Sequence, residues 1–184
     1  MLATQSVIAQ KTLLHCGQLI DVKNGVQLPQ MTIVVEGNKV VDIQKGYTNP
    51  AADQTVINLK NLTVMPGLID MHVHLESETG PASYLNGFTY NPADFAFQSV
   101  VFAEKTLMSG FTAVRDLGGT NVNIALRNAI NKGWIVGPRV YTAGKSLAST
   151  GGHADPTNNY RKDLMGDPGP REGVVNSVED AAKA

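Results

Sequence analysis

The chain has 184 residues, 42% hydrophobic and 17% charged, with 15 Lys and Arg against 16 Asp and Glu for a formal net charge of −1. That composition is globular and argues against disorder, a collagen-like repeat or a membrane protein, and no run of about 18 apolar residues is available to span a bilayer. Near neutrality with mixed signs leaves no electrostatic footprint for nucleic acid or anionic lipid, and the single Cys, Cys16, excludes an internal disulfide framework or a Cys-based zinc ribbon.

The N-terminal MLATQSVIAQ lacks a basic n-region and a long apolar h-region, so it is not an intact signal peptide; SVIAQ is compatible with the remnant of a trimmed one. The expected location is therefore cytoplasmic, or exported if that remnant reading holds. Residues 12–16 (TLLHC) and 31–36 (MTIVVE) are apolar and β-prone, and Cys16 reads as packed rather than reactive. Gly37-Asn38 separates MTIVVE from KVVDIQ, a Gly-first two-residue loop that predicts a type II′ hairpin. TVINL (55–59) and LTVM (62–65) continue the β character, so residues 1–64 read as an all-β element, the N-terminal part of a small β-sandwich. Asn61-Leu62-Thr63 fits a glycosylation sequon, a triplet that also arises by chance.

At Met65-Pro66-Gly67 the pattern changes. LIDMHVHL predicts a strand, and 76–92 a loop rich in Gly, Pro, Ser and Asn. Residues 94–109 show helical periodicity closed by Gly110, with Phe95, Phe97 and Phe102 read as its core face. FTAVRDL (111–117) predicts a strand, 121–132 a helix ended by Gly133, and RVYTAG (139–144) a third strand. A long loop, 145–176, precedes a helix start at Ser177, a good N-cap with Asp180 at the third helical position. That end is either frayed or cut inside a helix. Residues 65–184 thus alternate β and α, the signature of a parallel α/β sheet or barrel.

The strongest chemical signal is His72-Val73-His74. Side chains at i and i+2 of a strand share a face, roughly 6.6 Å apart along it, so two imidazoles can converge on one metal ion. Asp70 shares that face and could orient a ligand from behind it. A bare His-x-His is also common by chance, as core or surface histidines. Its place toward the C-terminal end of a strand in a β/α series favours the metal reading. Arg115-Asp116 closes the second strand and admits three readings: a buried pair, a substrate contact, or a structural ion pair. Tyr84, Phe88 and Tyr90 either line a substrate pocket or cover a barrel mouth. Gly144-Lys145-Ser146 suggests a P-loop, but Arg139 stands where the first Gly is needed.

The string VMPGLIDMHVH (64–74) resembles the metal-dependent amidohydrolase superfamily, whose first barrel strand carries PGxxDxHxH. GNKVVDIQ, FTAVRDLGG (111–119) and STGGHADPTNNY (149–160) agree with it, the last resembling a subgroup near imidazolonepropionases and amidohydrolase-type dipeptidases. The resemblance implies an α/β fold: part of a β-sandwich, then the first three β/α units of a (β/α)₈ barrel. It implies that His72 and His74 bind one or two divalent ions, expected to be zinc, and that His153 binds or polarises the substrate carbonyl. The alternative for His153 is an ordinary loop histidine, although Gly151-Gly152 beside it permits close approach. The implied function is hydrolysis of amide or peptide bonds by metal-activated water, in a dipeptidase or in a carboxypeptidase releasing a C-terminal amino acid. Cyclic-amide hydrolysis, deamination and a non-catalytic interaction module are the alternatives.

A (β/α)₈ barrel takes about 250 residues, and a catalytic zinc normally has three protein ligands. The 184 residues are therefore read as an N-terminal fragment, inactive alone and needing the rest of its own barrel. The expected partners are a small-molecule or dipeptide substrate and, at full length, a second copy in a homo-oligomer; nucleic acid and membrane are not expected.

Overall fold

The computed structural model describes residues 10–184, so the signal-remnant reading lies outside the described residues. The chain divides between Pro66 and Gly67 into two compact units.

The first unit is a single four-stranded sheet built from β1 (Lys11–Asp21), β2 (Val26–Glu36), β3 (Lys39–Lys45) and β4 (Thr55–Val64), in the order β3-β2-β1-β4. Neighbours are antiparallel except β1 and β4, which run parallel. The predicted hairpin forms, with Gly37 at φ +60°, the hand that a Gly-first turn requires. β1 is twice the length its apolar run suggests, because Gly17 continues it instead of ending it. A Cβ at Gly17 would lie 2.2 Å from the Lys60 carbonyl oxygen, and the register with β4 shifts between Cys16 and Gln18. Gly17 thus lets two backbones approach at a bulge. Cys16 is fully buried with Leu19, Met31 and Ile33. His15, buried beside Tyr47, bonds through Nε2 to the Thr48 carbonyl and is a satisfied core histidine.

The second unit opens with β5 (Leu68–Val73), followed by α1 (Ser83–Thr89), α2 (Pro92–Met108), β6 (Phe111–Asp116), α3 (Val122–Asn131) and β7 (Arg139–Thr142). The three strands are parallel in the order β5-β6-β7. α2 and α3 cover one face, where Leu75, Ala103, Val114, Leu126 and Val140 form the core. Arg115 and Tyr141 are exposed on the other face, and β5 pairs only with β6 among the described residues. Beyond β7 come α4 (Lys162–Met165), a short 3₁₀ turn (Pro170–Glu172) and α5 (Val178–Lys183). Ser177 Oγ accepts from the Asp180 N–H at 3.0 Å, the cap expected from the sequence. Among the described residues no helix is long and apolar enough to cross a membrane.

Three sequence expectations need correction. Residues 76–92 are not wholly loop, because α1 interrupts them: Tyr84 and Phe88, one helical turn apart, pack their rings 5.2 Å apart. The 145–176 loop holds α4 and the 3₁₀ turn. Phe97 is not on the core face of α2; it is 77% exposed and aligns with exposed Val101 and Met108, while Ser99 and Ala103 face inward.

Candidate active site

His72 lies near the end of β5 and His74 just past it, where the strand gives way to the following turn. Their rings stand side by side, centroids 5.4 Å apart and planes at 71°. Both are solvent-exposed and line a cleft of about 420 Å³ together with Leu117, Ser146, Leu147, His153, Ala154 and Asp155. The fold therefore brings all three singled-out histidines to one cleft, from the end of β5, the turn after it and the 145–161 loop that follows β7.

His74 Nδ1 lies 2.7 Å from the Gly118 carbonyl oxygen. A carbonyl has no proton to give, so Nδ1 carries one, and in the neutral ring Nε2 then keeps its lone pair, the form a metal ligand needs. Asp70 acts differently from expectation: its Oδ1 accepts the backbone N–H of His72 at 3.0 Å, fixing main chain rather than a ring. Among the described residues no group of three or more His, Cys, Asp or Glu could hold a metal ion. The donor set fits two of the three ligands of a catalytic site, and the tautomer of His74 is the correct one.

His153 is exposed in a loop that bonds to itself. The buried Asp155 carboxylate accepts the Gly151 N–H at 2.7 Å, the Thr157 N–H at 2.8 Å and the Thr157 hydroxyl at 2.7 Å. Asn158 Nδ2 donates to the Gly152 carbonyl at 2.6 Å, and Gly151 takes φ +72°. The Gly151 N–H, then the Thr157 N–H and hydroxyl, hold the Asp155 carboxyl below the usual carboxylate range. A depressed folded-state value means that this stabilisation is fully present above the ordinary carboxylate pKa and is lost as pH falls through the depressed one. Acidification should therefore loosen the His153 loop only below the ordinary Asp range, seen as fading protection of the Gly151 and Thr157 amides by NMR. Asp155→Asn should loosen it already at neutral pH.

Arg115 and Asp116 do not pair. They point to opposite faces: Arg115 Nε donates to the Met71 carbonyl at 2.9 Å, while Asp116 is fully buried. Of the aromatics, Tyr84 and Phe88 pack against Tyr160, at 5.1 and 5.7 Å between ring centroids, and Tyr90 pairs with Phe95. None of the three lines the histidine cleft.

Glu76 is a supporting residue that sequence reasoning missed. It is buried, and its two oxygens accept the Thr120 and Asn123 N–H groups at 2.7 Å each, so a carboxylate from the β5 turn caps the start of α3. Gly119 makes room, since a Cβ there would fall 2.4 Å from Glu76 Oε1. The only hint in the sequence is an acid two residues beyond His74. Glu76→Ala leaves two donors without their acceptor and should cost about 2–3 kcal/mol, measurable by denaturant unfolding.

The sequence pattern of the Amidohydrolase family matches residues 63–183. The chain is similar to ochratoxinase from Aspergillus niger, 28% identical over a 193-residue alignment covering 96% of this chain and 39% of that protein. It also resembles dihydroorotase from Geobacter metallireducens, 41% identical over 63 residues, covering 34% of this chain and 14% of that protein. Among solved structures it superposes on a Xaa-Pro dipeptidase with bound methionine in its active site, at TM-score 0.85 and 41% identity, over 93% of this chain and 42% of that one. A prolidase complexed with N-methylphosphonate-L-proline gives TM-score 0.70 and 28% identity, over 95% of this chain and 38% of that one. The chain thus spans about two-fifths of the length of these full-span relatives, and its three β/α units are part of a barrel.

Proposed function

The chain belongs to the amidohydrolase family, and from that premise we propose that the protein is a metal-dependent hydrolase of amide or peptide bonds, a dipeptidase or carboxypeptidase that releases a C-terminal amino acid. The observation that carries this reading is the His72–His74 pair facing His153 across one cleft, with His74 fixed in its ligand tautomer by Gly118.

His72 and His74 would hold a divalent ion, zinc being the expected one, through ring nitrogens on the exposed side of the sheet end. Such an ion supplies an acidified water, with a pKa near ~7, and a Lewis acid for the scissile carbonyl. His153 hydrogen-bonds the carbonyl oxygen and stabilises the negative charge that develops there. Its self-bonded loop fixes the backbone from which the ring projects, which limits the reorganisation left for the reaction. The dipeptide-cleaving reading is supported by the relatives matched over nearly the whole chain, a Xaa-Pro dipeptidase and a prolidase. Dihydroorotase supports a second reading, cyclic-amide hydrolysis, over a third of the chain only.

Two histidines leave the metal one protein ligand short of a catalytic site. We therefore expect the 184 residues alone to be inactive and to need the remaining barrel strands. The test assays this chain, and the chain continued through the length of its relatives, against Xaa-Pro and Xaa-Arg dipeptides, N-acyl amino acids and dihydroorotate. Turnover of the linear substrates by the longer chain alone is the expected result. Preference for dihydroorotate would replace this reading with the second, and turnover by the 184 residues would overturn the ligand count.

A further inference from the structure

Behind the histidine pair lies a buried polar network that the proposed chemistry leaves unused. Asp116 is fully buried on the helix-covered side of the sheet. Its Oδ2 accepts the Leu75 N–H at 3.0 Å, and its Oδ1 accepts the Gly118 N–H at 3.1 Å and Asn123 Nδ2 at 3.0 Å. Leu75 follows His74 in the chain, and Gly118 supplies the carbonyl that takes the His74 Nδ1 proton. One carboxylate therefore holds both the backbone from which His74 projects and the residue that fixes its tautomer. Gly118 takes φ +153°, and a Cβ there would lie 1.9 Å from Ser146 Oγ, so this presentation of the carbonyl needs glycine.

We propose that Asp116 is the positioning residue of the histidine pair: acting through Gly118 and Leu75, it sets His74 in the Nδ1–H tautomer and leaves Nε2 free to bind. That Nε2 binds a metal rests on the function proposed above; the control of the tautomer does not. An ionised carboxylate is suited to the task because it has two acceptor oxygens and no donor, and three N–H groups converge on it. Asn is nearly isosteric but has one acceptor oxygen and an NH₂ group. Whichever way it turns, its NH₂ faces either the Leu75 or the Gly118 N–H, and one side of His74 loses its support. Asn123 Nδ2 is committed to Asp116 Oδ1 and the Gly144 carbonyl, and its Oδ1 is buried without a hydrogen-bond partner among the described residues.

The test is ¹⁵N imidazole NMR on the metal-free chain. In the unaltered protein His74 should show a protonated Nδ1 with a coupling across the hydrogen bond to the Gly118 carbonyl carbon. Asp116→Asn should convert it to a mixture of tautomers and lose that coupling. Leu126→Ala, a truncation in the core beside Leu75 that removes no hydrogen bond of the network, should weaken the fold yet leave the tautomer in place. A protonated Nε2 in the unaltered protein would overturn the inference without any variant, should Asp116→Asn fail to fold. So would an unchanged tautomer in Asp116→Asn, or an equal change in Leu126→Ala. Zinc affinity of the same samples separates the two claims. If Asp116→Asn shifts the tautomer and weakens zinc binding roughly 10–100-fold, as loss of an outer partner does, both stand. If the tautomer shifts and zinc binds neither protein, the positioning role stands and the metal reading falls.

Discussion

His72→Asn and His74→Asn should each abolish hydrolysis in the protein that carries the remaining barrel strands. The expected fall in kcat/KM is more than about 10³-fold, because acidifying water and polarising a carbonyl together supply several kcal/mol and each ~1.36 kcal/mol is a factor of ten. Bound metal, read by elemental analysis, should fall with activity in both variants. The fold should survive: both side chains are exposed and neither belongs to the core of Leu75, Ala103, Val114, Leu126 and Val140. His15→Asn is the contrasting control. It removes a buried ring bonded to Thr48 in the other unit, so it should lower stability and leave metal content unchanged. Full hydrolytic activity in His72→Asn would remove this ring from the metal centre, whereas no hydrolysis by the unaltered longer protein would favour the non-catalytic alternative.

His153→Ala should divide the two events. If this ring only stabilises charge on the carbonyl oxygen, its removal lowers kcat by roughly 10²–10³-fold, the usual cost of losing one such donor, and leaves the metal in place. Loss of metal in this variant would make His153 a ligand instead. The Asp155 carboxylate beneath it adds a second check. Asp155→Asn keeps the imidazole but unties Gly151 and Thr157, so it should lower kcat less than His153→Ala does and raise the mobility of the loop.

The parts of this fold that were legible in the sequence are those governed by local periodicity. The run LIDMHVHL alternates with period two and forms β5 with its extension, and the Gly-first pair at 37–38 forms its hairpin. The features that were missed depend on contacts distant in sequence. The apolar run 12–16 stops short of Gly17, and only the Lys60 carbonyl, 43 residues away in the numbering, shows why the strand needs a glycine there to run on. In α2 two apolar stripes compete, and only the approach of β6 and α3 decides that Ala103 is inside and Phe97 outside.

The site was legible to the same degree. His72 and His74 could be marked from residue type and spacing and His153 from the family resemblance, and the structure brings the three to one cleft. Their support could not be marked, because it joins residues about 44 positions apart: Leu75 with Asp116, His74 with Gly118, and Glu76 with Thr120 and Asn123. Arg115 and Asp116 show the limit plainly. Adjacent opposite charges suggest a pair, but strand geometry sends them to opposite faces, and the acid serves backbone N–H groups instead.

In the proposed function His72 and His74 form one half of a metal centre. Zinc titration of the ¹⁵N-labelled chain, followed at the imidazole nitrogens, tests this most directly. The predicted result is a joint shift of the His72 and His74 signals at one ring nitrogen each, Nε2 for His74, with an affinity weaker than about micromolar as two ligands allow, and no change at His15. Zinc that leaves both rings unmoved, or that binds equally well to the His72→Asn/His74→Asn double variant, would contradict it.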